Sequence, residues 1–257
     1  METTISKKHP KGLYVLFFAE MWERFSYYGM RAILLMYLID QVRGGLGLSV
    51  ATGTAIYGLY TASVYLLSLP GGWVADNILG QKKSIFYGGI VIMLGHIILA
   101  IPAGESLFYM GLAVVAAGTG LLKPNISSIV GELYPEGGAR RDAAFSIFYI
   151  GINLGSFLGM MLVGYLGQKI DWHLGFGAAA VGMLFGLLVF KFAGDIHLKG
   201  LGAPPAKKPK KTTLTEGERK GKQLGWGLIA LLVVFLATLQ IVGIINVTTA
   251  QGLAQAM

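Results

Sequence analysis

The 257-residue chain contains no cysteine, which excludes disulfides, thiol chemistry and thiolate metal sites. Charge is scarce: Asp, Glu, Lys and Arg make up 13%, against about 25% in an ordinary soluble domain. The four histidines, His9, His96, His173 and His197, have no metal-ligand spacing. No GxxxxGK[ST] phosphate loop is present, so ATP does not drive the protein directly. There is no HExxH, and no GxSxG with candidate triad partners. Gly118-x-Gly120 lies in an apolar run rather than after a strand and is no dinucleotide site. A cleavable signal peptide is not evident, because the first apolar segment is too long and is interrupted by charges. An enzyme, a metal centre and a disulfide scaffold are therefore not expected.

What remains is hydrophobic, at 54% of residues and a mean hydropathy of +0.62. The expected fold is an all-α polytopic membrane protein. Apolar stretches of about the ~20-residue spanning length run over 13–38, 51–75, 84–101, 107–130, 143–166 and 174–193. A polar linker follows, with Pro204, Pro205 and Pro209 among Lys207, Lys208, Lys210 and Lys211, and then a seventh apolar stretch over 224–246. The division this predicts is an N-terminus (1–12), a six-helix bundle (13–194), a basic linker (195–223) and one additional transmembrane helix (224–257).

The net charge of +8 is distributed by topology. With the N-terminus in the cytoplasm, Lys82, Lys83, Arg140, Arg141 and the linker are also cytoplasmic, while the outer loops keep only Arg43 and Lys169. This accounts for most of the excess without nucleic acid as a partner. The linker reads as a solvated connector, with contact to anionic headgroups as the other option. Gly151, Gly155 and Gly159 in the fifth stretch, and Gly111, Gly118 and Gly120 in the fourth, read first as close helix packing and second as sliding surfaces.

The first stretch is the unusual one, since it carries Glu20, Glu23, Arg24 and Arg31 inside an apolar run. Ionisable groups in hydrocarbon cost a few kcal/mol each and normally face a bundle interior. At about 100° per residue, Glu20, Arg24, Tyr27 and Arg31 share a helix face, with Glu23 about 60° away. Two readings are open. The charges either pair to hold helices together or line a solute or proton pathway. The weak net stabilisation from buried ion pairs favours the second.

Six spans and a basic linker resemble one half of a major facilitator, whose halves each contain two three-helix repeats. The loop from Gly71 to Lys83, with Asp76, Gly80, Lys82 and Lys83, is similar to that superfamily's Gly…Asp…Gly…Lys/Arg loop, which implies a conformational latch. Glu20-x-x-Glu23-Arg24-Phe25-x-Tyr27-Tyr28-Gly29 resembles the first-helix signature of the proton-coupled oligopeptide transporters. The run from Phe145 to Phe157 resembles that family's second signature, and the run from Gly118 to Asn125 its buried-lysine segment.

The resemblance covers the N-terminal six-helix half. It implies proton-coupled symport of di- and tripeptides by alternating access, in a bacterial inner membrane, with protons as coupling ion and no cofactor. It assigns proton coupling to Glu20 and Glu23, and the substrate's carboxylate to Arg24 and Lys123. It assigns a gate to Arg31 and the peptide-site lining to Tyr27, Tyr28, Tyr65 and Asn153. Glu20 is expected to be the principal proton site, with Glu23 paired to Lys123. Tyr14, Tyr37, Tyr57 and Tyr60 read as interfacial anchors, and Pro124 as a kink. Alternating access needs two halves, so the C-terminal bundle is expected from a longer parent chain or a second subunit. The alternative is a half-length, non-transporting protein that binds peptides or regulates a transporter.

Overall fold

A computed structural model describes residues 8–203. The linker beyond residue 203 and the seventh apolar stretch lie outside the described residues. Within them the chain forms six long helices and no strand: α1 (Lys11–Ile39), α2 (Val50–Val74), α3 (Gln81–Leu99), α4 (Glu105–Glu132), α5 (Gly138–Tyr165) and α6 (Trp172–His197). Five-residue π turns extend α2 (Ala75–Leu79) and α5 (Leu166–Ile170). By length and composition, α2 to α6 are five helices able to cross a membrane. The 29-residue α1 differs by carrying Glu20, Glu23 and Arg24 in its central turns.

Local chemistry sets the boundaries. Ser49 caps α2 by accepting a hydrogen bond from the Thr52 amide at 3.1 Å, and Asp171 caps α6 through the Leu174 amide at 3.0 Å. The chain enters α3 through Gly80 at φ +80°, a conformation that a side chain would oppose. At the end of α1 the Asp40 carboxylate accepts from the Arg43 amide at 2.9 Å and the Gly45 amide at 3.1 Å, closing a tight loop.

Helix pairing has an internal symmetry. The closest neighbours are α1 with α5, α1 with α6, α3 with α4, α2 with α4, and α3 with α6. Exchanging the first three helices for the last three maps α1·α5 onto α2·α4 and α1·α6 onto α3·α4, and leaves α3·α6 unchanged. The two π turns exchange as well. This is the arrangement expected of two three-helix repeats.

The small residues read as packing positions do pack. A Cβ on Gly155 would lie 2.0 Å from the Met21 carbonyl oxygen, and one on Gly159 2.2 Å from that of Phe25. The backbones of α1 and α5 thus meet without side chains between them, which locks the charged turn of α1 against α5. Outward-facing positions stay apolar, as at Leu69 (75% exposed) and Phe192 (70%), consistent with a bilayer environment.

Hydrogen bonds gather the loops into two ends. At one end Arg140 donates to the Lys8 carbonyl, the Gly202 amide to Glu132, and His9 meets the Tyr134 hydroxyl at 2.7 Å. At the other, Trp172 donates to Asp40 at 3.1 Å, Arg43 to the Gln168 carbonyl, and His173 contacts the Leu99 carbonyl. Lys11, Lys82, Lys83, Arg140 and Arg141 belong to the first end, and Arg43 and Lys169 to the second, which is the predicted charge asymmetry.

Candidate functional site

The charged turn of α1 is almost wholly enclosed. Glu20 is 3% exposed, Glu23 0% and Arg24 3%, although each is ionisable. Arg24 Nε lies 3.0 Å from Glu20 Oε1 and in still closer contact with Glu23 Oε2, so one guanidinium serves two carboxylates. Glu20 Oε2, Glu23 Oε1 and Arg24 Nη2 have no hydrogen-bond partner among the described residues. Two negative groups against one positive group leave an imbalance inside low-dielectric surroundings. A proton or a second cation would balance it.

Stacked above this cluster are two tyrosines and a second arginine. The Arg24 guanidinium sits 5.1 Å from the Tyr27 ring centre and 6.0 Å from that of Tyr28. Arg31 faces the same two rings at 5.4 and 5.9 Å. The tyrosines are thus shared between two cations at distances where the ring face is attractive. The stripe inferred from helical spacing is therefore contiguous in space. Arg31 is anchored by α2, donating from Nε and Nη2 to the Tyr57 hydroxyl at 2.9 and 2.6 Å.

Tyr57 was expected to be an anchor and instead accepts hydrogen bonds from Arg31. Tyr60 and Tyr37 also depart from that expectation. Each is 4% exposed, Tyr60 beside the Tyr27 ring at 6.4 Å, and Tyr37 in a core cluster with Phe108, Trp172 and Phe176. Tyr14, 49% exposed, stays at the surface. The signal for Tyr57 was present in the spacing: Tyr57, Thr61 and Tyr65 recur every fourth residue on one face of α2.

Lys123 comes from α4 and is partly buried, its Nζ 4.1 Å from the centre of the Tyr65 ring. It forms no ion pair among the described residues, so the expected Glu23–Lys123 pair is not formed. The reason is proximity: Arg24 follows Glu23 directly and reaches both carboxylates, while Lys123 turns to the aromatic face on α2. Tyr65 is 57% exposed, and Asn153 on α5 is exposed with its amide donating to the Tyr149 carbonyl at 2.9 Å. These groups face outward from the bundle, whereas the α1 cluster lies inside it.

The proposed latch is wired differently from expectation. Asp76 is exposed within the π turn after α2, and no ion pair joins it to Lys82 or Lys83 among the described residues. Lys82 reaches α6 instead, 3.1 Å from Asp195 Oδ1 and 3.2 Å from the Gly194 carbonyl. Asp195 was missed because it lies more than a hundred residues from the loop and belongs to no motif.

Comparison with known proteins settles the kinship. The model of the POT family matches residues 82–211, about half of the chain. The chain belongs to the POT family. It has relatives among bacterial transporters. It is 51% identical over 227 residues to an uncharacterized transporter of Bacillus subtilis, YclF, covering 88% of this chain and 45% of that protein. It is 49% identical over 200 residues to a di-/tripeptide transporter of Lactococcus lactis, covering 77% of this chain and 40% of that protein. Its fold is similar to the crystal structure of peptide transporter POT in complex with sulfate, with TM-score 0.76 and 48% identity over 91% of this chain and 46% of that one. The POT-family chain thus spans about half the length of these relatives.

Proposed function

We propose that this bundle is the N-terminal half of a proton-coupled di- and tripeptide carrier working by alternating access. The observation that carries the reading is the buried cluster in which Glu20 and Glu23 share Arg24. With one proton aboard, its charges balance. A peptide carboxylate drawn to Arg24 or Lys123 would take positive charge away from the glutamates and favour that proton. Binding and protonation are then linked, and the linkage is reciprocal. Tyr28, Tyr65 and Asn153 would offer hydroxyls and an amide for the peptide backbone without reading side chains, Tyr27, 2% exposed, would do so only if the cluster opens, and Arg31 would meet an acid of the other half.

In this reading α1 is a sixth span, its charges tolerated because they face protein rather than lipid. The N-terminus is cytoplasmic, the membrane is the bacterial inner membrane, and residues 13–194, 195–223 and 224–257 are bundle, linker and additional helix. The latch is a cation network at the cytoplasmic end in which Asp195 joins Asp76, Lys82 and Lys83. A second six-helix half, from the same parent chain or another subunit, completes the path.

The test is uptake of labelled dialanine into proteoliposomes with an acidic exterior, holding this bundle together with the second half found in its longer relatives. Accumulation that collapses with a proton uncoupler is expected. Accumulation indifferent to the uncoupler would refute proton coupling, and binding without flux would point to the non-transporting alternative.

A further inference from the structure

A cavity of about 330 Å³ opens between the start of α3 and the end of α6. Lys82 and Lys83, in the first turn of α3, and Lys191 on α6 supply its cations, and Phe86, Tyr87 and Phe190 its walls. Asp195 is the single acid. Its two oxygens are already taken, Oδ1 by Lys82 at 3.1 Å and Oδ2 by Lys191 at 2.9 Å. Three lysines against one carboxylate leave two positive charges over, and Lys83 has no ion pair among the described residues. The Lys191 ammonium also sits 5.7 Å from the Phe86 ring, so cation and aromatic wall are continuous.

Position decides what such a cavity can take. α3 and α6 are both long and apolar enough to cross a membrane. The lysines are therefore at the end of the hydrocarbon layer, where headgroups lie. Beside them Tyr87 (48% exposed), Phe192 (70%) and Ile196 (62%) leave apolar surface facing outward. A free anion would use the ammonium groups and gain nothing from the aromatic wall.

We infer that this cavity binds the headgroup of an anionic phospholipid, its phosphodiester held by Lys83 and Lys191 and its chains lying along Phe86, Tyr87 and Phe190. Basic recesses between spans are suited to such headgroups. The inference requires only that the bundle be embedded in a membrane and holds whether or not it moves peptides.

The full 257-residue chain in detergent, titrated with dioleoylphosphatidylglycerol and read by native mass spectrometry, provides the test. Affinity is expected to fall about fivefold for each of Lys83→Gln and Lys191→Gln, the loss that one surface cation brings. It is expected to be unchanged in Lys169→Gln, at the opposite end. Lys191→Arg keeps the charge and should bind as the parent does. Dioleoylphosphatidylcholine, whose choline offsets the charge of its phosphodiester, should bind more weakly and lose less than the anionic lipid in the two glutamine variants. If Lys191→Gln does not fold, Lys83→Gln decides alone, because Lys83 has no ion pair to lose. Affinity indifferent to the glutamine variants, or lowered equally by Lys169→Gln, would overturn the site. Inorganic phosphate that displaces the lipid completely at equal ionic strength would overturn the lipid as its occupant.

Discussion

Arg24 is the residue on which the buried cluster turns, since among the described residues its guanidinium is the one cation in ion-pair contact with Glu20 and Glu23. Removing the titratable carboxyl of Glu20 while keeping its shape leaves Arg24 paired to Glu23 and leaves Lys123 untouched. Glu20→Gln, tested with the second half present, is therefore expected to lose gradient-driven uptake while retaining exchange of peptide across the membrane. Proton dependence like that of the parent would remove Glu20 from the coupling. A different acid can be followed by pH alone. Burial acts to raise the Asp40 carboxyl, but hydrogen bonds from Trp172 and from the Arg43, Gly45 and Val42 amides outweigh it and hold the group below its ordinary 3.8. A lowered folded value means the stabilisation is complete above 3.8 and is lost as pH falls through the lower, folded value. Asp40→Ala is expected to unfold at lower temperature than the parent at pH 6, with the gap closing as thermal scans move below pH 4.

At the scale of elements, the contact between α1 and α5 sets how firmly the charged turn is held. Gly155 meets the Met21 carbonyl so closely that one added methyl must push the helices apart. Gly155→Ala is expected to destabilise the bundle by about 1–3 kcal/mol, the usual cost of overpacking. Gly58, mid-helix in α2 with nothing within 4 Å of its added Cβ, is the control. There the same change is expected to be neutral or stabilising by about 0.5–1 kcal/mol. Equal thermal shifts in the two variants would mean that α1 and α5 yield freely. The existence and approximate extent of the helices were legible from the chain, because apolar run length is a local feature, but α5 begins five residues before its apolar stretch and α6 runs four residues beyond its own. The π turns at Ala75–Leu79 and Leu166–Ile170 were not, since no single residue there demands them.

For the whole molecule, the absence of cysteine makes topology simple to read. Val42, 89% exposed, lies just after α1, and Ala139 is exposed at the start of α5, at the opposite end of the bundle. In intact cells a membrane-impermeant maleimide is expected to label Val42→Cys and to label Ala139→Cys only after permeabilisation. The reverse pattern would invert the proposed orientation. The twofold pairing of the helices also gives the site its place. It brings the centre of α1 against α5 and α6, so the one helix rich in charge is surrounded by protein.

By itself the sequence determined the class of fold, the spans and their charge asymmetry, and the kinship carried by Glu20, Glu23, Arg24 and the signatures around Lys123 and Asn153. Hydropathy and helical periodicity act over neighbouring residues, so these were readable along the chain. Only the tertiary structure decided who pairs with whom. It placed Glu23 on Arg24 rather than Lys123, set Tyr57 under Arg31, and joined Lys82 to Asp195 across the bundle. The Lys82–Asp195 pair is set by helix rotation in the packed bundle, and its separation of 113 residues leaves no local trace. Electrostatics favours the nearest opposite charge, which for Glu23 is its sequence neighbour Arg24 and for Lys82 is a residue of a distant helix.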